Sequence, residues 1–210
     1  MTVVIKHPAY QISVGNAYFA DVASVANGVN TYGTPYGVES IKSVGLTKQK
    51  AEQTIHASGI TYEYASKKSS TQIALGAVAL PAATLRKYLG NTVSTNKGFG
   101  FETADDTLPE FAFGYTTEYS NGDKVFKWYP RCKLIAHDPS VETSTDTPTD
   151  PNLAHTILAM PYGTDRLIEV SYDQSEVDAA KVPYTEDEFF TQVVSTKTDV
   201  FVDAEDAVTP

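Results

Sequence analysis

The sequence predicts a mainly β domain with two short helices and long loops, and three observations predict it. Apolar residues recur with period two, as where Ile60, Tyr62 and Tyr64 alternate with Thr61, Glu63 and Ala65, the pattern of a half-buried strand. Asn121-Gly122 is a strong hairpin signal, because both central positions of a type I′ turn need φ > 0. Thirteen Tyr against one Trp and two Met suit half-exposed pleated surfaces more than helix packing. All-β units of 210 residues are commonly single, and no internal repeat appears. The expectation is one domain over 1–210, with an N-terminal arm at about 1–9 and an acidic tail at about 198–210.

Residues 10–20 (YQISVGNAYFA) read as a first strand, and 23–37 (ASVANGVNTYGTPYG) as a loop rich in Gly, Asn and Pro. Residues 38–50 read as a strand, and 51–59 (AEQTIHASG) as a long exposed loop or hairpin before the strand at Ile60. In 69–80 (SSTQIALGAVAL) the apolar parity changes from Ile73 and Leu75 to Val78 and Leu80, so a bulge at Gly76 is expected to return both halves to one face. Pro81 opens a helix at its first position, Leu85, Tyr88 and Leu89 form its apolar stripe, and Gly90 ends it.

The stretch Pro109–Leu134 writes out one long hairpin. With a two-residue turn at Asn121-Gly122, counting outward pairs Phe111 with Cys132, Phe113 with Pro130, Tyr115 with Trp128 and Thr117 with Phe126, all on one aromatic face. The other face would carry Ala112, Gly114, Thr116 and Glu118 against Arg131, Tyr129, Lys127 and Val125. Pro130 falls at a non-hydrogen-bonded pair, which predicts that the other edge of its strand is locally unpaired. The Pro-, Thr- and Asp-rich 138–152 is an extended connector, and 153–160 and 166–173 are strands. Thr185 and Glu188 form a capping box that starts a second short helix before Phe189 and Phe190.

The order of features in PEFAFGYTTEYSNGDKVFKWYPRCKLIAHDPSVETSTDTPTDPNLAHTILAMP resembles the major tail protein, or tail tube protein, of long-tailed non-contractile bacteriophages. The upstream TQIALGAVALPAATLRKYLG, a strand running into a short helix that ends in Gly, is similar to the same family. His56-Ala57-Ser58-Gly59 departs from the acidic, Gly-containing turn common there. The resemblance implies a β-sandwich-like barrel with a flanking helix. Its copies would form hexameric rings whose sheets join into an inner barrel, stacking into a tube. The implied partners are the chain itself, a tape-measure protein, and tail terminator and distal tail proteins. DNA would pass through the lumen without specific binding, and the location would be the virion tail after assembly in the host cytoplasm. Exposure and position point to Gln53, Thr54, Ile55, His56, Ser58 and Gly59, with the N-terminal arm, for ring-to-ring contact.

No enzyme is expected. His7, His56, His137 and His155 show no metal-binding spacing, and one cysteine supplies no zinc pair. There is no nucleophile elbow, P-loop or dinucleotide fingerprint, and adjacent carboxylates such as Asp105-Asp106 and Glu186-Asp187-Glu188 suit turns and helix N-termini. Neither a cofactor nor a metal is expected. The lone Cys132 excludes an intrachain disulfide, fits a reducing compartment and is expected to be buried. The N-terminus lacks the apolar stretch of a signal peptide, and no apolar run reaches membrane-spanning length.

Charge is divided along the chain. Residues 1–100 carry 9 Lys/Arg and 4 Asp/Glu, a net of +5, while residues 101–210 carry 7 and 22, a net of −15. Overall acidity argues against a nucleic-acid-binding surface, which needs clustered cations. A different class of function, a monomeric β-sandwich module for carbohydrate binding or adhesion, would use the many Tyr as a stacking platform. The aromatic hairpin face, continuous with Cys132 and Leu134, reads instead as core.

Overall fold

The structure, a computed structural model, describes residues 9–26, 28–57, 60–93, 99–138, 153–178 and 181–197. In chain order the elements are β1 (Gln11–Ala26), β2 (Val29–Tyr32), β3 (Tyr36–Val38), β4 (Ile41–Ala57), β5 (Ile60–Ala77), α1 (Ala82–Tyr88), β6 (Thr92–Val93), β7 (Gly100–Phe101), β8 (Phe111–Tyr119), β9 (Lys124–Asp138), β10 (Leu153–Ala159), β11 (Val170–Asp173) and α2 (Glu186–Phe189). The chain is mainly β. One antiparallel sheet follows the order β2-β1-β8-β9-β10-β5-β4, with β3 on β1 and β11 on β9, and β6-β7 forms a separate small pair.

The sheet curls on itself. β3 pairs with Ala17–Phe19 of β1, and the chain passes almost directly from β3 into β4, which brings the last strand of the path back beside β1. The inner face of this incompletely closed barrel holds Phe19, Ile73, Leu75, Phe111, Phe113, Tyr115, Tyr129, Cys132, Leu134 and Ile157. Burying each such side chain is worth about 1.5–3 kcal/mol. α1 packs Tyr88 into this core, its ring 4.1 Å from that of Phe111. Pro81 is the N-cap of α1 rather than its first helical residue, its carbonyl accepting the Leu85 amide at 3.1 Å.

A second core lies on the outer face of the same strands. Ala20, Ala112, Phe126 and Trp128 are covered there by Phe189, Phe190, Val193 and Val194. The Thr185 hydroxyl and the Glu188 carboxylate make reciprocal capping contacts that start α2 and aim its two phenylalanines at the sheet. Central β8 is therefore buried on both faces.

Four further sequence expectations are corrected. The β8–β9 loop has three residues: the Tyr119 amide donates to the Asp123 carbonyl at 2.8 Å, and the Gly122 amide to the Tyr119 carbonyl at 2.9 Å. This is a turn closed by Gly122 at φ +89°, which shifts the register by one. Phe113 thus pairs with Tyr129, Tyr115 with Lys127 and Thr117 with Val125, so Tyr115 and Trp128 lie on opposite faces. An extra β9 residue opposite Ala112 restores Phe111 to Cys132. Pro130 sits at that bulge, and on the other edge of β9 strand pairing stops at Trp128 and resumes at Cys132.

The 23–37 stretch is not a loop, because β1 continues to Ala26 and β2 and β3 fold back on it. Gly76 carries no bulge. The irregularity lies opposite it in β4, at Lys42, while Ile73, Leu75 and Ala77 stay on one buried face and Val78 and Leu80 lie beyond the strand. The 166–173 strand begins only at Val170, because Leu167 closes a turn against Tyr162.

Candidate assembly surface

The feature that stands apart from the barrel is the outer part of the β4–β5 hairpin. Thr71–Ala77 of β5 lies between β10 and β4, but Ile60–Ser70 pairs with β4 alone among the described residues. β10 ends at Ala159, and the chain detours before rejoining β9 as β11. The detour turns back through the Tyr162–Leu167 bridge, with Gly163 at φ 68° and Arg166 at φ 52°. It separates the hairpin from the rest of the sheet. Among the described residues this two-stranded ribbon of about ten residue pairs, roughly 30 Å long, has no further strand on either backbone edge.

The root of the ribbon is basic. Lys48, Lys67, Lys68 and Arg166 outnumber Asp165 and Glu169 in the lining of the cleft between ribbon and detour. Lys50 stands directly opposite Lys68, a like-charge pair that is unfavourable without a counterion. Gln53, Thr54, Ile55 and His56 pair with β5 as one arm of this hairpin, so of the loop or hairpin expected over 51–59 the hairpin is the one observed. Ser58 and Gly59 lie outside the described residues, as do the N-terminal arm through residue 8, the connector from 139 to 152 and the tail from 198.

Three cations of the β8–β9 hairpin, Lys124, Lys127 and Arg131, are spent internally. Lys127 reaches Glu169 at 3.3 Å, Lys48 reaches the same carboxylate at 3.7 Å, and the Tyr129 hydroxyl donates to it at 3.0 Å. Burial alone would raise the Glu169 carboxyl, but Lys127, Tyr129 and Lys48 outweigh it and hold the group below the usual carboxylate range. Arg131 grips Glu110 with two nitrogens at 2.7–3.0 Å, and this hydrogen bonding lowers the Glu110 carboxyl. Lys124 pairs with Glu186 at 2.8 Å, tying the hairpin tip to α2, and Tyr18 donates to the same carboxylate at 2.9 Å. Sequence reasoning missed Glu110, Glu169 and Glu186 in these roles, since none is near its partner in the chain.

Many tyrosine rings face inward. Tyr18 stacks on Phe190 at 3.7 Å, Tyr115 lies parallel to Tyr129, and Tyr172 packs on Phe126 and Phe189. The exposed aromatics include Phe99 and Phe101, side by side next to the small β6–β7 pair. Cys132 is fully buried, and burial pushes its thiol pKa up. Among the described residues no three His, Cys, Asp or Glu converge as a metal site, and no helix is long and apolar enough to cross a membrane.

No family model matches the chain, and no curated protein does. Among solved structures, the chain is similar to a chain from the baseplate of the anti-feeding prophage (AFP). The identity is 8%, the match covers 80% of this chain and 97% of that one, and the TM-score is 0.39, a likeness too distant to bear on function.

Proposed function

We propose that the chain is a structural protein of a phage tail, a tube subunit that polymerises through its projecting β-ribbon into stacked hexameric rings. The observation that carries this reading is the ribbon, which among the described residues has no strand on either edge. A two-stranded ribbon standing alone is marginal in water, and its free N–H and C=O groups are a template for strand pairing. Edge-to-edge pairing in which one copy's ribbon meets a different surface of the next is heterologous, and such contacts close into rings where the rotation between copies divides a full turn. The division of charge supports the same reading, because a basic ribbon root meets a chain whose second half is strongly acidic. In this reading the protein catalyses nothing. It guides DNA, encloses a tape-measure protein and meets terminator and distal proteins at the tube's ends.

The test is negative-stain microscopy with sedimentation over a concentration series. Rings or tubes of six-fold periodicity are expected. Strictly monomeric behaviour at high concentration, with no assembly after tail initiator components are added, overturns the reading.

A further inference from the structure

The segment that carries α2 lies across the outer face of the sheet without joining its ladders. Among the described residues no backbone–backbone hydrogen bond ties 185–194 to a strand; the Phe189, Phe190 and Thr191 amides donate back to the Thr185, Glu186 and Glu188 carbonyls. The segment is pinned at its start by Tyr184, whose amide donates to the Tyr172 hydroxyl at 2.9 Å and whose carbonyl accepts the Gln174 side chain at 2.8 Å. Beyond that point it holds on by two means. One is apolar: Phe189, Phe190, Val193 and Val194 cover Ala20, Ala112, Phe126 and Trp128. The other is a polar clasp on Glu186, whose carboxylate accepts from Lys124 Nζ at 2.8 Å, the Tyr18 hydroxyl at 2.9 Å and Asn16 Nδ2 at 3.1 Å. The closed arrangement also carries a cost. Trp128 Nε1 is buried in this core with no hydrogen-bond partner, a desolvation penalty that opening the core to water relieves.

We propose that residues 185–194 form a strap that opens from the sheet as a unit while the barrel stays folded, with the Glu186 clasp as its acid-released latch. A segment outside the strand ladders detaches without breaking them, so its opening costs less than global unfolding. Apolar burial is indifferent to pH, whereas the clasp is not. The ionisable groups facing Glu186 are Lys124 from β9 and Tyr18 from β1, with Asp187 and Glu188 beside it on α2. Burial alone would raise the Glu186 carboxyl, but Lys124 and Tyr18 outweigh it and hold the group below the usual carboxylate range. In the open strap the carboxyl returns to its ordinary 4.5. The stabilisation from the clasp is therefore fully present above that value and is lost as pH falls through the closed-state pKa. Glu188, lowered by its capping bonds to Thr185, titrates in the same direction and loosens α2 further. The strap is independent of assembly, because a chain that never forms rings opens it in the same way.

Val194→Cys in the full chain places a thiol under the strap, and Cys132, buried in the inner core, reports global unfolding in the same molecule. Both thiols are labelled with a pyridyl disulfide, which reacts in acid, and each rate is divided by that of the urea-unfolded chain at the same pH. At neutral pH the introduced thiol should label at least about tenfold faster than Cys132. On going to roughly pH 3.5 it should accelerate at least about threefold while staying ahead of Cys132. Adding Glu186→Gln should raise the neutral rate at least about threefold and flatten the profile, with Cys132 still protected as proof of a folded barrel. Adding Lys124→Met instead should move the acid release to higher pH, since it removes the cation and leaves the carboxyl buried. Equal rates for the two thiols would make the opening global and overturn the proposal. So does an introduced thiol that acid does not accelerate, or a Glu186→Gln profile as steep as that of the chain with Glu186 intact.

Discussion

Gly114 has no room for a methyl group. A Cβ built there would lie 2.7 Å from Phe190 Cε1, 2.8 Å from the Lys127 carbonyl oxygen and 2.9 Å from Trp128 Cε3. The carbonyl belongs to the paired strand and cannot swing aside, so Gly114→Ala should cost about 1–3 kcal/mol as overpacking. Urea unfolding followed by Trp128 fluorescence checks this, and a change below roughly 0.5 kcal/mol would be that of an uncrowded surface site. Glu169 makes a second prediction at this scale. Its folded-state pKa lies below the ordinary 4.5, so its stabilisation is fully present above that value and is lost as pH falls through the folded pKa. The unfolding midpoint should therefore hold from neutral pH to about 5 and fall below it. Glu169→Gln should lower the midpoint at neutral pH and flatten the acid limb, so that the two curves converge in acid; parallel curves would assign the acid limb to other groups. Neither residue's role was legible in the sequence. The crowding of Gly114 comes from Phe190, and the charge on Glu169 is set by strands far away in the chain.

The long hairpin was recognisable from Asn121-Gly122 and its flanking aromatics, but its register was not. A two-residue type I′ turn and a three-residue turn ending in a left-handed glycine both favour Asn-Gly, and they differ by one position along the strands. That one position decides which face Trp128 joins. A two-residue count reads Phe126 and Trp128 onto the inner aromatic face; the observed turn places them on the outer one, where α2 covers them. The second core was hidden for the same reason, since its lid comes from a segment about sixty residues downstream. α2 itself was legible, because a capping box is local. Gly122 sits at φ +89°, so Gly122→Val forces a β-branched residue into the left-handed region at a cost of about 1–3 kcal/mol. Thermal unfolding of the variant measures this. Nothing crowds that position, so the loss comes from backbone conformation, and Gly122→Asn should recover much of it. An asparagine variant as unstable as the valine one would contradict that account.

At the scale of the whole molecule, charge decides what the protein can hold. The chain carries −10, and a ring of six would carry −60, so its long-range field repels a polyanion. The composition made this much readable; where the cations lie needed the fold. Lys127 and Arg131 are taken up by Glu169 and Glu110, which removes them as phosphate contacts. Among the described residues a cluster of cations lies at the ribbon root, where Lys50 faces Lys68, and Lys67 and Arg166 line the neighbouring cleft together with Asp165. Such a cluster is a candidate for phosphate contact, because clustered cations gain affinity by releasing counterions. In the proposed tube that patch instead meets carboxylates of a neighbouring copy, and DNA slides without being held. The expected result is no gel shift of duplex DNA by the purified protein at low salt, up to roughly 10 µM, where non-specific binders already associate. Self-association should weaken as salt rises, and Lys50→Glu with Lys68→Glu should weaken it at low salt as well. A salt-sensitive DNA shift that the same double substitution abolishes would assign the ribbon root to nucleic acid and take it away from the subunit contact.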